Sequence, residues 1–130
     1  PEHVALLRAA ALLGAPVRWR STQAEDFAAA GHGRAVEAIG RLALDERNTI
    51  LALEVDAIAD MGAYLSGYGP HCPTNSLSTA IAGCHAVPLV ALTVRGAFTN
   101  AAPVEAYRGA GKPEANLIID TVAVPGTSLE

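Results

Sequence analysis

An α+β fold is predicted, with a mixed or antiparallel sheet that carries a long hairpin and has helices packed on it. Three observations support it. Segments 34–44 and 49–59 alternate apolar and polar residues on either side of the tetrad Asp45-Glu46-Arg47-Asn48, the pattern of two antiparallel strands and their turn. Val4, Leu7 and Ala11, with Leu6 and Leu13, recur at helical spacing. The segment LVALTVRGAFTN (89–100) is rich in β-branched and apolar residues and leads into a glycine loop followed by helix-start signals.

The first helix opens at Pro1-Glu2 and stops at Gly14 and Pro16. VRWRS (17–21) alternates apolar and basic residues and predicts a short strand with Val17 and Trp19 on one face. Thr22-x-x-Glu25 has the form of a capping box and opens a helix through Ala30, closed by Gly31. In the hairpin, Val36, Ala38, Leu42 and Leu44 share one face, as do Leu51, Leu53, Val55 and Ala57. MGAYLSGYGPHCP is broken by glycine and proline and reads as loop, and TNSLSTAIAGCHAVP holds a helix ending near Gly83. A last helix starts at Lys112 or Pro113, since proline suits the first helical position and Glu114 the first turn.

With 130 residues, 51% of them hydrophobic, the chain is long enough for one domain that buries roughly two-thirds of its unfolded surface. Nine Lys and Arg against thirteen Asp and Glu give a net charge of −4, and the nine cations are scattered, so neither nucleic acid nor a membrane is expected as a partner. No apolar run has the length of a bilayer span. Cys72 and Cys84 are too few for a secreted disulfide scaffold, and a reducing, cytoplasmic location is expected. Pro1 at the start and the polar VPGTSLE ending read as a piece of a longer chain: residues 1–124 are expected to be a partial domain and 125–130 a tail of the kind an expression-vector scar leaves.

Several residues carry chemistry that must be weighed. Arg108-Gly109-Ala110-Gly111 precedes a helix N-terminus, where free N–H groups and the helix dipole favour an anion, although the spacing matches neither the dinucleotide fingerprint nor the P-loop. His71-Cys72 and Cys84-His85 are the right atoms for tetrahedral zinc. Adjacent residues point apart, however, and structural cysteines with loop histidines are the better reading. His32 has a side chain that titrates near neutrality, yet nothing close in sequence would orient it as a base. Glu54, Asp56 and Asp60 fall at even spacing along one strand and read as a solvated face before a hard-cation site. Ser66 and Ser78 have no nucleophile-elbow context.

FTNAAPVEAYRGAGKPEAN resembles the molybdenum-binding large subunit of the xanthine dehydrogenase, aldehyde oxidase and carbon monoxide dehydrogenase family. PEHVALLRAAALLGAPVRWRSTQAEDFAAAGHGR, LALEVDAIADMGAYLSGYGP and YRGAGKPEA occur in the family's order, so the likeness covers residues 1–123. Its most specific part is A-[YF]-R-G-x-G-x-P-[EQ], matched by Ala106 to Glu114.

The resemblance implies part of a molybdenum-cofactor-binding domain, from a subunit that holds molybdenum on a molybdopterin, in bacteria typically the cytosine dinucleotide form. Such enzymes oxidise an aldehyde or N-heterocycle with water-derived oxygen and work with iron–sulfur and FAD partners. By resemblance Arg108, Gly109, Ala110 and Gly111 face the cofactor, with Arg108 and its main chain beside the molybdenum ligands. Purine-oxidising members place an aromatic ring where Ala110 stands and an arginine where Ser76 stands, and carbon monoxide-oxidising members place a copper-holding cysteine where Gly109 stands. An aldehyde or another heterocycle is therefore expected, with Ala110 and Ser76 on the substrate side. The family's catalytic glutamate and other cofactor-gripping motifs lie outside this stretch, so the chain alone is expected to be inactive and to hold no cofactor. An alternative is a free-standing binding or oligomerisation module, and in either case a homo-oligomer is expected from the apolar surface left uncovered.

Overall fold

The computed structural model describes residues 2–124, so the tail 125–130 lies outside the described residues. The chain divides into two compact units, Pro1–Ala30 and Gly31–Glu130.

The first unit holds α1 (Glu2–Leu13) and α2 (Gln23–Ala29). The capping box at the head of α2 is complete: the Thr22 hydroxyl accepts from the Glu25 N–H at 3.3 Å, and the Glu25 carboxylate accepts from the Thr22 N–H at 2.7 Å. The Thr22 N–H, and after it the Thr22 hydroxyl donating to the same carboxylate at 2.9 Å, hold the Glu25 carboxyl below its ordinary pKa. The segment 17–21 is not a strand. Its alternation is real, but a strand also needs a ladder partner, and the three described strands all lie beyond residue 35.

The second unit is built on a mixed sheet of order β1-β2-β3, with β1 Val36–Leu44, β2 Ile50–Gly62 and β3 Val90–Phe98. β1 and β2 form the expected antiparallel hairpin, and β3 lies parallel to β2. Asp45 shapes the hairpin turn by accepting from the Arg47 and Thr49 N–H groups, each at 2.8 Å, and Asn48 takes φ +62°. A register shift between Ala43 and Leu44 closes the ladder irregularly. Leu44 and Leu51, expected on the core face, are instead about half exposed at that hairpin end.

The 63–89 connection is only partly helical. Gly69–His71 is a 3₁₀ turn and Cys72–Ser76 a π-helical turn, so helical backbone already begins within the segment read as loop. α3 (Lys112–Ala123) starts where its proline predicts and packs on β1, where the Val122 methyl closes over Gly40. The core comprises Leu53, Val55 and Ala57 of β2, Leu77 and Ile81 of the connection, and Ala115 and Ile119 of α3. The four fully buried large side chains, Leu53, Leu77, Ile119 and Val55, stabilise the unit by about 1.5–3 kcal/mol each. None of the described helices is long and apolar enough to cross a membrane.

Candidate functional site

At its far end β2 delivers the chain to a crowded crossing. Gly62 (φ +69°) lies so close to the Ala102 carbonyl that no Cβ fits, and the Gly62 carbonyl accepts from the Thr99 N–H at 3.0 Å. Asp60 ties the same corner by accepting from the Gly62 N–H and the Thr99 hydroxyl, both at 2.7 Å, and these bonds hold its carboxyl below the ordinary value. From there, residues 103–105 run beside His32: the His32 N–H donates to the Pro103 carbonyl at 3.0 Å, and the His32 carbonyl accepts from the Glu105 N–H at 2.7 Å. The Ser66 hydroxyl donates to the Val104 carbonyl at 2.6 Å and accepts from the Gly69 N–H at 2.9 Å. Thus His32 acts through its backbone, and Ser66 is a tie between two loops.

These restraints lead to the loop 107–111. Ala110 N–H donates to the Tyr107 carbonyl at 2.8 Å and Lys112 N–H to the Gly109 carbonyl at 3.1 Å, so two donors near the helix start are already engaged inside the loop. Gly109, Ala110 and Gly111 all have positive φ, at +108°, +46° and +90°. The two glycines are required by the chain's own packing. A Cβ on Gly109 would stand 2.8 Å from Pro113 Cγ, and one on Gly111 would overlap the Cys72 carbonyl.

Arg34 spans the site. Its Nη2 donates to the Arg108 carbonyl at 2.8 Å, its Nη1 pairs with Glu114 at 3.1 Å, and its guanidinium lies 4.8 Å from the centre of the Tyr107 ring. Nothing close in sequence announces this role, since the partners are 74 and 80 residues away. The Arg108 side chain is left exposed and makes no hydrogen bond or ion pair among the described residues, and the same is true of Lys112. Behind the loop, the cavity lined by Arg34, Asp60, Cys72, Glu105 and Glu114 is about 10 Å³, room for a single water at most.

Ser76 sits in the π-helical turn beside the loop. The backbone nitrogen of its neighbour Leu77 is 3.0 Å from where a Gly111 Cβ would stand, so the structure does bring the Ser76 turn to the 108–111 loop. The remaining candidates serve separate ends. Cys72 is buried, with its thiol directed to the Tyr68 carbonyl at 3.6 Å; burial pushes its pKa up, and the Glu114 and Glu105 carboxylates push it further. His71 stacks at 4.7 Å on the Tyr68 ring, Cys84 is exposed, and His85 meets Asp120 at 3.3 Å. Glu54 pairs with Arg41 at 3.2 Å and Asp56 with Arg95 at 2.8 Å, so the carboxylates along β2 have different partners. Among the described residues, no three His, Cys, Asp or Glu side chains converge as a metal site.

The α+β unit thus presents a glycine loop held by internal contacts and an exposed guanidinium at a helix start, chemistry that favours an anionic group. Residues 1–123 match the model of the molybdopterin cofactor-binding domain, and the chain belongs to that family. It is 32% identical over 114 residues to the gamma subunit of the 6-hydroxypseudooxynicotine dehydrogenase complex of Paenarthrobacter nicotinovorans, covering 88% of this chain and 14% of that protein. It is 30% identical over 103 residues to the carbon monoxide dehydrogenase large chain of Hydrogenophaga pseudoflava, covering 79% of this chain and 13% of that one. The crystal structure of quinoline 2-oxidoreductase from Pseudomonas putida 86 superimposes with a TM-score of 0.83 at 31% identity, over 94% of this chain and 16% of that one. The chain is thus a domain of the molybdenum hydroxylase family and spans about one-seventh of the length of these relatives.

The residues present fit such a cofactor. Arg108 and Lys112 offer two exposed cations for its anionic groups, and the loop beneath them is fixed by contacts internal to the chain.

Proposed function

We propose that this chain forms one wall of the cofactor site in a molybdenum hydroxylase that oxidises an aldehyde or N-heterocycle with oxygen taken from water. The observation behind this reading is the Arg108 loop, whose backbone is anchored by Arg34 while its own guanidinium stays free. Arg108 would bind the anionic edge of the cofactor, with Gly109 and Ala110 as the backbone surface against it, and Ala110 and Ser76 would border the substrate. The cofactor supplies the redox centre. A small side chain at Ala110 leaves space beside it rather than a stacking ring, and the solved relative named for quinoline favours the N-heterocycle branch. Gly109 provides no thiolate for copper, which argues against carbon monoxide chemistry.

On this reading the general base, the iron–sulfur and FAD partners and the remaining cofactor contacts come from outside the chain, the cofactor is the cytosine dinucleotide form, the location is cytoplasmic, and the isolated chain has no turnover. The test is elemental analysis of the intact subunit that contains this chain, purified from molybdate-supplied cells. Wild type should hold close to one molybdenum per subunit and Arg108→Ala several-fold less, with its circular dichroism unchanged. Full molybdenum content and wild-type oxidation in Arg108→Ala would remove the loop from the cofactor site. An intact protein that self-associates through this region and takes up no molybdenum would favour the binding-module alternative.

A further inference from the structure

We propose that Arg34 is the positioning residue of this site: its guanidinium couples the Arg108 carbonyl to the Glu114 carboxylate and so fixes the direction in which the 108–111 loop presents Arg108. Three independent features support it. First, the guanidinium is used on three sides, by the carbonyl at 2.8 Å, the carboxylate at 3.1 Å and the Tyr107 ring at 4.8 Å, which uses the planar fork as a lysine could not. Second, the side chains of Arg34 and Glu114 are 34% and 14% exposed, so water screens the pair less than it screens the hairpin pair Arg41–Glu54, whose side chains are 61% and 59% exposed.

Third, backbone strain is concentrated here. Among the described residues, three that are not glycine have positive φ: Arg34 at +69°, Ala110 at +46° and Asn48 at +62°. Asn48 sits in a hairpin turn, where asparagine tolerates this region. Arg34 is the clamp itself and Ala110 lies in the loop it anchors, and a left-handed conformation costs a residue with a Cβ about 1–2 kcal/mol. Such strain persists only where the surroundings hold it, and it gathers at sites whose geometry must be fixed. Because Arg34 bonds the backbone of Arg108, the Arg108 side chain remains available for a ligand.

The inference rests on the cofactor reading above, and its test separates the two. Hydrogen exchange and molybdenum content are measured on wild type, Arg34→Ala, Arg34→Lys and Glu114→Gln in the intact subunit that contains this chain, purified from molybdate-supplied cells. Arg34→Ala should speed exchange of the 107–112 amides at least tenfold while those of 53–59 in β2 stay within twofold of wild type. Arg34→Lys, keeping a cation but losing the fork, and Glu114→Gln, keeping the carbonyl bond, should fall between. Molybdenum content should decline in the same order as loop protection. Loop exchange within twofold of wild type in Arg34→Ala would overturn the clamp, as would equal loosening of 53–59. If the loop loosens but the variant keeps full molybdenum, the positioning role is overturned and the cofactor reading stands. If the loop loosens while wild type holds no molybdenum, the clamp is upheld and the cofactor reading falls.

Discussion

Gly111 rests directly on the carbonyl of Cys72: a side chain there would overlap the oxygen and stand 2.9 Å from the carbonyl carbon. The contact joins the head of α3 to the π-helical turn, and it explains a glycine that sequence reasoning assigned to cofactor approach. Gly111→Ala must move two backbone segments and also hold φ near +90°. A loss of roughly 3 kcal/mol is expected, at the upper end of overpacking effects. Urea titration measures it, and a loss under about 1 kcal/mol would mean that the contact relaxes freely.

The adjoining residue should respond in the opposite sense. Ala110 holds φ +46° with a Cβ, so Ala110→Gly removes the left-handed cost of about 1–2 kcal/mol and gives back about 0.4–1 kcal/mol through a more flexible unfolded chain. The net expectation is a small gain, read as a higher denaturation midpoint. A lower midpoint would show that the Ala110 methyl contributes packing that outweighs its strain.

The two thiols should separate cleanly in an alkylation experiment. Cys84 is exposed, whereas Cys72 is buried with its pKa raised by that burial and by the Glu114 and Glu105 carboxylates. Thiolate is the reactive form, so iodoacetamide at pH 8 should label Cys84 well before Cys72. Peptide mass spectrometry reads the order, and equal rates would contradict the buried placement.

Acid sensitivity should involve Asp60. Its carboxyl is held below the ordinary 3.8, first by the Gly62 N–H and then by the Thr99 hydroxyl. A depressed carboxyl stabilises the fold above its unfolded pKa, and that contribution is lost as pH falls below about 4 through the folded value. Asp60→Asn should therefore lose less stability than wild type between pH 4 and pH 2, in denaturation midpoints taken at each pH. Parallel curves would remove Asp60 from the acid response.

The hairpin, the capping box and the start of α3 were legible because each is written locally, in alternation about Asp45–Asn48, in Thr22 and Glu25, and in Pro113. The direction of β3 was not. Val90–Phe98 would read the same in either orientation, and its parallel pairing follows from the long connection before it. VRWRS misled because alternation reports a possible face and not a neighbour. At the site, Arg108 to Gly111 stood out by motif, while Arg34 in the GHGR segment gave no signal beyond its glycine-flanked neighbourhood. His32 serves through its main chain, bridging to residues 103–105, and nothing in the GHGR segment announces that pairing.

The 80 residues that separate Arg34 from Glu114 also set a timetable. At about 5–20 residues per second, a ribosome completes the partner of this arginine roughly 4–16 s after the arginine itself. The hairpin can pair within microseconds of being made. Parallel pairing of β3 must wait for the whole connection, and α3 follows later still. A nascent chain therefore carries a formed hairpin and an unanswered guanidinium for seconds, and a cofactor that depends on this loop can be loaded only after translation has passed residue 114.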